Sequence, residues 1–262
     1  MQAIYTDSFF AGQLSGTKSS ATTVVPIITE LFDPKSVVDV GCGAGVWLAE
    51  FHRRGVDTHG IDGDYVNREM LQIPQDKFLP HDLTKPLELG RTFDMAVSLE
   101  VAEHLPPESA EQFVALLTSL APVVVFSAAI PGQGGVNHVN EQWQSYWAAL
   151  FGKCGYAAVD CIRPRIWGNP EVHAYYAQNM VLYVAQDKLE SLPHLKAFRN
   201  APGAPPFDVV HPRIFQGLIY AAAPENIRVA AAARQVVRST ANAVRRRISP
   251  SARIRKPDSP GE

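Results

Sequence analysis

Residues 37–51, VVDVGCGAGVWLAEF, carry a β-branched run into three glycines at alternate positions and then into an apolar stripe of helical spacing. Periodicity changes from two to 3.6 within a few residues, so a strand has to turn sharply into a helix here. Gly41, Gly43 and Gly45 let the backbone make that turn and come close to a ligand without Cβ atoms in the way. The spacing Asp39-x-Gly41-x-Gly43-x-Gly45 separates this turn from two familiar nucleotide loops. The G-x-G-x-x-G of dinucleotide oxidoreductases needs its third glycine one residue later, where this chain has Val46, and no Gly-Lys-Ser/Thr follows to make a P-loop.

From residue 36 onward short β-branched runs alternate with amphipathic stretches, the pattern of βαβ units and a parallel sheet. Strands are expected at 36–40, 57–62, 77–82, 93–99, 123–129, 157–166 and 179–186. The first helix, about 44–54, carries Val46, Trp47, Leu48 and Phe51 on one side, with Arg53 and Arg54 in its last turn and Gly55 beyond. A second starts near Pro106 and Pro107 and buries Phe113, Leu116, Leu117 and Leu120. A third, capped by Asn140, contains Trp143, Tyr146, Trp147, Leu150 and Phe151, aromatic spacing that points to core more than to a pocket. SSATTVVPIITELF reads as a short helix ahead of the sheet, Asp64 as the N-cap of a helix YVNREML, and WGNPEVHAYYAQ as an insertion whose His173, Tyr175 and Tyr176 could form a lid.

At 262 residues and 46% hydrophobic content, one main core with extensions is expected rather than two full domains. No run approaches the roughly 18 to 20 apolar residues of a membrane span, and MQAIYTDSFF lacks the basic start and apolar stretch of a secretion signal, so a cytoplasmic protein is expected. Cys42, Cys154 and Cys161 form no C-x-x-C pair and suggest neither a disulfide framework nor a zinc site. Residues 225–262 hold nine Lys/Arg against three Asp/Glu, whereas residues 1–224 hold 15 against 23. So negative a body is a poor match for a nucleic-acid backbone, and a small-molecule acceptor is expected instead.

Acids at later strand ends sharpen the reading of the glycine loop. In open α/β sheets ligands lie beyond the carboxyl ends of the strands, at the switch point. Asp62 ends the second strand in THGID, 21 residues after Gly41, where a carboxylate can accept both hydroxyls of a ribose. Asp82, in LPHDL after the third strand, could accept from an adenine amino group, with Leu83 against the ring.

Taken together, VVDVGCGAG, GIDGD, HDL and FDMAVSLEVAEHL resemble successive motifs of class I S-adenosylmethionine-dependent methyltransferases over residues 20–186. The resemblance implies a Rossmann-like, doubly wound seven-stranded sheet of order 3-2-1-4-5-7-6, with strand seven antiparallel between five and six. It also implies S-adenosylmethionine across the first strands. Asp39, Gly41, Cys42, Gly43 and Gly45 would form the cradle near the methionine part, Asp62 would hold the ribose, and Asp82 and Leu83 the adenine. Glu100 would face the cofactor from the end of strand four.

A methyl on a sulfonium is already activated, so alignment and exclusion of water are the main demands on the protein, with a general base added for a hydroxyl acceptor. Two histidines are placed for that work. His138, with Glu141, lies in the glycine-rich loop after strand five, and His104 lies just after strand four with Glu100 and Glu103 at i−4 and i−1. The Glu-x-x-Glu-His arrangement resembles ubiquinone-biosynthesis O-methyltransferases, where it is associated with a divalent metal. The Glu-His pair is widespread across the superfamily, however, and no metal is assigned to it.

The expected organisation is a methyltransferase domain over 1–190, a Pro/Ala-rich extension over 191–224, a basic amphipathic helix over 225–248 and a disordered tail over 249–262. The helix could lie on a membrane surface or a protein partner, but an appended helix with solvated arginines is favoured. No Asn/Asp-Pro-Pro-Tyr/Phe follows strand four and no Pro-Cys is present, which disfavours base amino-methylating and cytosine C5 enzymes. O-methylation of a small molecule is the leading expectation. An aminopropyl-type transferase, which would want an acidic pair such as Glu100 and Glu103, and a non-catalytic S-adenosylmethionine-binding partner protein are the alternatives.

Overall fold

The computed structural model describes residues 7–200 and 207–223. Its centre is a seven-stranded sheet: β1 (Ser36–Val40), β2 (Asp57–Asp62), β3 (Phe78–Pro80), β4 (Met95–Leu99), β5 (Val123–Ser127), β6 (Tyr156–Val159) and β7 (Val181–Ala185). The order is β3-β2-β1-β4-β5-β7-β6, with β1 to β5 parallel and β7 antiparallel to both β5 and β6. This is the α/β, Rossmann-like architecture that the resemblance implied.

The pleat sends alternate residues to opposite faces, and both faces are covered. From β1, Val37 enters the layer built with α1 (Asp7–Phe32) and α2 (Val46–His52), while Val38 and Val40 enter the layer built with α3 (Ala110–Leu120) and α4 (Gln144–Lys153). In the second layer Phe151 stacks on Tyr183 with ring centroids 3.8 Å apart, beside Phe126 and Trp147. Burying one such aromatic contributes about 3 kcal/mol. Trp147 therefore belongs to the core, and Trp143, 40% exposed, does not line the cleft described below.

Several sequence expectations change. The N-terminal helix is longer than the SSATTVVPIITELF stretch, reaching back to Asp7. The predicted strand 157–166 stops at Val159 and turns into α5 (Arg163–Ile166), where Pro164 fits a first turn because its missing N–H has no intrahelical partner there. α6 (Ala174–Asn179) then leads into β7, followed by α7 (Gln186–Glu190). Asp64 caps nothing: a short 3₁₀ turn, Arg68–Met70, takes its cap from Asn67, and Asp64 pairs with Arg68 at the surface. Asn140 does not cap α4 either, since its amide donates to the Ala102 carbonyl. That cap comes from far along the chain, from Asp208, which accepts from the Ser145 N–H and hydroxyl at 2.7 Å each.

Residues up to Ile214 belong to one compact unit; Phe215 onward belongs to a second, of which the end of α8 (Pro212–Ala222) is described. The expected basic helix 225–248 and tail 249–262 lie outside the described residues. Among the described residues no helix is long and apolar enough to cross a membrane.

Candidate functional site

The switch point falls where β1 has β2 on one side and β4 on the other. Beyond the carboxyl ends of these strands opens a cleft of about 990 Å³. One half is lined by Asp39, Gly41, Cys42, Gly43, Asp62, Asp82 and Leu83. The other is lined by Glu100, Glu103, His104, Gln133, His138 and Tyr175.

The glycine loop is shaped by what a side chain would meet. Gly41 has φ +89°, and a Cβ there would stand 2.4 Å from a Val101 methyl. Gly43 has φ +53°, and a Cβ there would meet nothing within 4 Å, on the wall of the cleft. The Gly43 N–H donates to Asp62 Oδ2 at 2.7 Å, while Asp62 Oδ1 accepts from the Gly63 N–H and the Tyr65 hydroxyl, both at 2.6 Å. Burial raises the Asp62 pKa and these hydrogen bonds hold the rise down. Asp39, paired in register with Gly60 and Val97, is 3% exposed; burial and the neighbouring Asp62 charge push its pKa well up. Burial likewise raises the Cys42 thiol, which stays protonated against the loop.

Asp82 sits differently from its sequence expectation. β3 ends at Pro80, so Asp82 stands in an exposed turn, accepting from the Thr84 N–H and hydroxyl, which hold its pKa down. Its side chain and Leu83 still line the cleft. Gly45, by contrast, faces Ile73 and is not among the lining residues.

On the other half, His138 Nδ1 lies 2.9 Å from Glu141 Oε1, and Glu141 also accepts from the Gly132 and Gly134 N–H groups at 2.8 Å each. Burial would raise the Glu141 pKa, but the bonds from His138, Gly132 and Gly134 outweigh it and the net shift is downward. A carboxylate only accepts, so the contact with Glu141 is a hydrogen bond when His138 carries a proton on Nδ1, the arrangement that turns Nε2 away from Glu141. Nε2 packs on Gly135, where a Cβ would stand 2.1 Å away. The His104 ring meets the His138 ring edge to face at 4.9 Å, and burial lowers the His104 pKa.

Glu103, His104 and His138 each offer a ligand atom within 4.8 Å of the others, the only such trio among the described residues. Glu103 is fully buried, and burial raises its pKa well above the ordinary value. Glu100, which the sequence groups with them, is turned elsewhere. With φ +55°, unusual for a residue carrying a Cβ, it accepts from Asn179 Nδ2 at 3.1 Å and Gln133 Nε2 at 3.0 Å. The amides of Gln133, Gln178 and Asn179 were not singled out from the sequence, nor was Tyr65. Tyr65 could have been found from its place three residues after Asp62. Of the suggested lid, Tyr175 and Tyr176 form a wall of the cleft, Tyr176 packing edge to face on Trp47 at 5.1 Å.

Residues 19–158 match the family model described as a methyltransferase domain, more than half of the chain, and the chain belongs to that family. A ubiquinone biosynthesis O-methyltransferase of Rhodopseudomonas palustris strain HaA2 is 28% identical over 124 residues, 44% of this chain and 44% of that protein; the strain BisB18 protein is 26% identical over the same share. The chain thus spans under half the length of these relatives. Among solved structures, magnesium protoporphyrin IX methyltransferase from Synechocystis, with bound S-adenosylhomocysteine, matches with a TM-score of 0.50 at 18% identity, covering 68% of this chain and 88% of that one. DesVI of Streptomyces venezuelae matches with a TM-score of 0.51 at 17% identity, covering 68% and 96%. At these identities the likeness is one of fold.

Proposed function

We propose that this chain is an S-adenosylmethionine-dependent methyltransferase that methylates an oxygen of a small-molecule acceptor, with His138 as general base. The observation that carries the reading is the His138–Glu141 pair facing, across one cleft, the Gly43–Asp62 cradle. The cradle fits the cofactor: a bare Gly43 on the wall, a buried carboxylate at the end of β2, and a cleft at the upper end of the usual size for small-molecule sites. Asp62 would accept from the ribose hydroxyls, with Tyr65 giving way as they enter. Asp39, Gly41 and Cys42 would flank the methionine part, and Asp82 and Leu83 the adenine. When bound, the cofactor supplies an electrophilic methyl group on a sulfonium.

The chain's own residues do the rest. Glu141 keeps its charge and holds His138 Nδ1–H, so Nε2 can take the hydroxyl proton as the acceptor oxygen attacks. His104, biased to the neutral form by burial, is the weaker claimant on that proton. Gln133 and Asn179 hold Glu100 against the sheet end, while Tyr175 and Tyr176 give the cleft an aromatic wall. A methyl-transfer screen with labelled donor tests the reading: label incorporated into a hydroxylated small molecule by the wild type, and far more slowly by His138→Ala, is the expected result. The chain's similarity to part of the ubiquinone biosynthesis O-methyltransferases supports an oxygen acceptor. The family membership supports a catalytic role over the non-catalytic alternative.

A further inference from the structure

Residues 207–213 lie beyond the stretch that the methyltransferase family model covers, yet they are tied to the cleft by a continuous set of buried and part-buried hydrogen bonds. The Phe207 carbonyl accepts from Arg163 Nη1 at 2.9 Å, and the Val209 carbonyl accepts from Gln144 Nε2 at 3.2 Å. Both donors also reach the Gln178 carbonyl, at 3.4 Å each. The third alternate residue, His211, donates its N–H to Gln178 Oε1 at 2.7 Å. The segment thus holds the Gln178 side chain directly, through the His211 N–H, while the Gln178 carbonyl shares the Arg163 and Gln144 donors with the segment's own carbonyls. Its Nε2 passes the connection on, donating to Gln133 Oε1 at 3.0 Å and to Asn179 Oδ1 at 2.9 Å.

Gln133 stands in the glycine loop between Gly132 and Gly134, the two residues whose N–H groups fix Glu141 and through it His138. Gln178, Asn179 and His211 are at most 5% exposed, so none of these amides can exchange its partner for water without a local opening. Two anchors of the segment lie off this path, Asp208 on Ser145 and His211 Nε2 on the Trp167 carbonyl at 2.7 Å, and the Phe207 ring adds to it under the Arg163 guanidinium at 5.0 Å.

We propose that residues 207–213 are a strap that positions the loop 131–138 through Gln178 and Gln133, making Gln178 a positioning residue for the acceptor side of the cleft. The consequence for catalysis rests on the reading of His138 given above; the mechanical link does not. Energetic coupling between two ends of such a chain is reciprocal, so loosening either end loosens the other.

Site-resolved amide exchange on the full chain, with neither cofactor nor acceptor added, tests the link. Asp208→Ala loosens the strap by removing its hold on Ser145, and exchange at Gly132 and Gly134 should rise about fivefold or more while Val38 and Val97 in the sheet stay at the wild-type rate; no change at Gly132 and Gly134 once 207–213 exchanges faster overturns the proposal. Gln133→Ala, in a half-buried loop position that does not threaten the core, applies the same test in reverse and should speed exchange at His211. Acceleration confined to 207–213 and Ser145 in the first variant, or to the loop in the second, overturns the proposal. Uniform acceleration across the sheet would show general destabilisation instead and would overturn it equally. Should the chain fail to bind S-adenosylhomocysteine, the functional reading falls and the exchange result stands on its own.

Discussion

The main-chain N–H of Gly43 donates to Asp62 Oδ2 at 2.7 Å, joining the tip of the loop after β1 to the end of β2. The bond holds one wall of the cleft to its floor. Two glycines of this loop face different surroundings. Gly41→Ala places a Cβ 2.4 Å from Val101 in a left-handed backbone, and we expect it to cost about 2–4 kcal/mol of unfolding free energy. Gly43→Ala meets open space and should cost about 1 kcal/mol, from its positive φ alone. Urea unfolding of both variants checks this, and equal costs would contradict the packing described here.

His138 and Glu141 should separate binding from chemistry. His138→Ala is expected to lower kcat by about 10² to 10⁴-fold, and Glu141→Gln by a smaller factor, with the donor Kd within about twofold of wild type in both. An unchanged kcat for His138→Ala would remove it as the base.

Asp39 yields a prediction about pH. Its folded pKa is raised well above 3.8 by burial and by Asp62, so its contribution to stability is fully present below about pH 3.8 and is lost as pH rises toward the folded value. Asp39→Asn removes that loss. The advantage of the variant over wild type, measured by urea unfolding without cofactor, should therefore be larger at pH 7 than at pH 4. The same advantage at both values would show that Asp39 ionises in the folded chain as it does in water.

The parts of the fold that are local in sequence were legible there. β1 and β5 follow from the β-branched runs in SVVDV and VVVFS and β4 from the apolar MAVSL, because a buried parallel strand needs near-continuous apolar residues, whereas β2, DTHGID, was placed by its spacing and by Asp62 at its end. The glycine loop and the acid 21 residues after Gly41 located one half of the cleft, and the histidine of the loop after β5 located the other. What escaped was carried by single contacts between distant residues. Asp208 caps a helix 63 residues away, and Gln178 reaches Gln133 across 45; no periodicity records either. Arg163 and Pro164 turned an expected strand into a helix, since the Arg163 guanidinium pairs with Asp160 and holds the turn. Glu100 was grouped with Glu103 and His104 by spacing, yet its left-handed backbone turns it toward Asn179 instead.

The account stands most directly on Asp62. Calorimetric titration with S-adenosylhomocysteine should show one site per chain, and Asp62→Ala should weaken it by roughly 10²-fold, about 2.7 kcal/mol, for the loss of charge-assisted hydrogen bonds in a buried position. No binding by the wild type, or equal affinity in the variant, would contradict it.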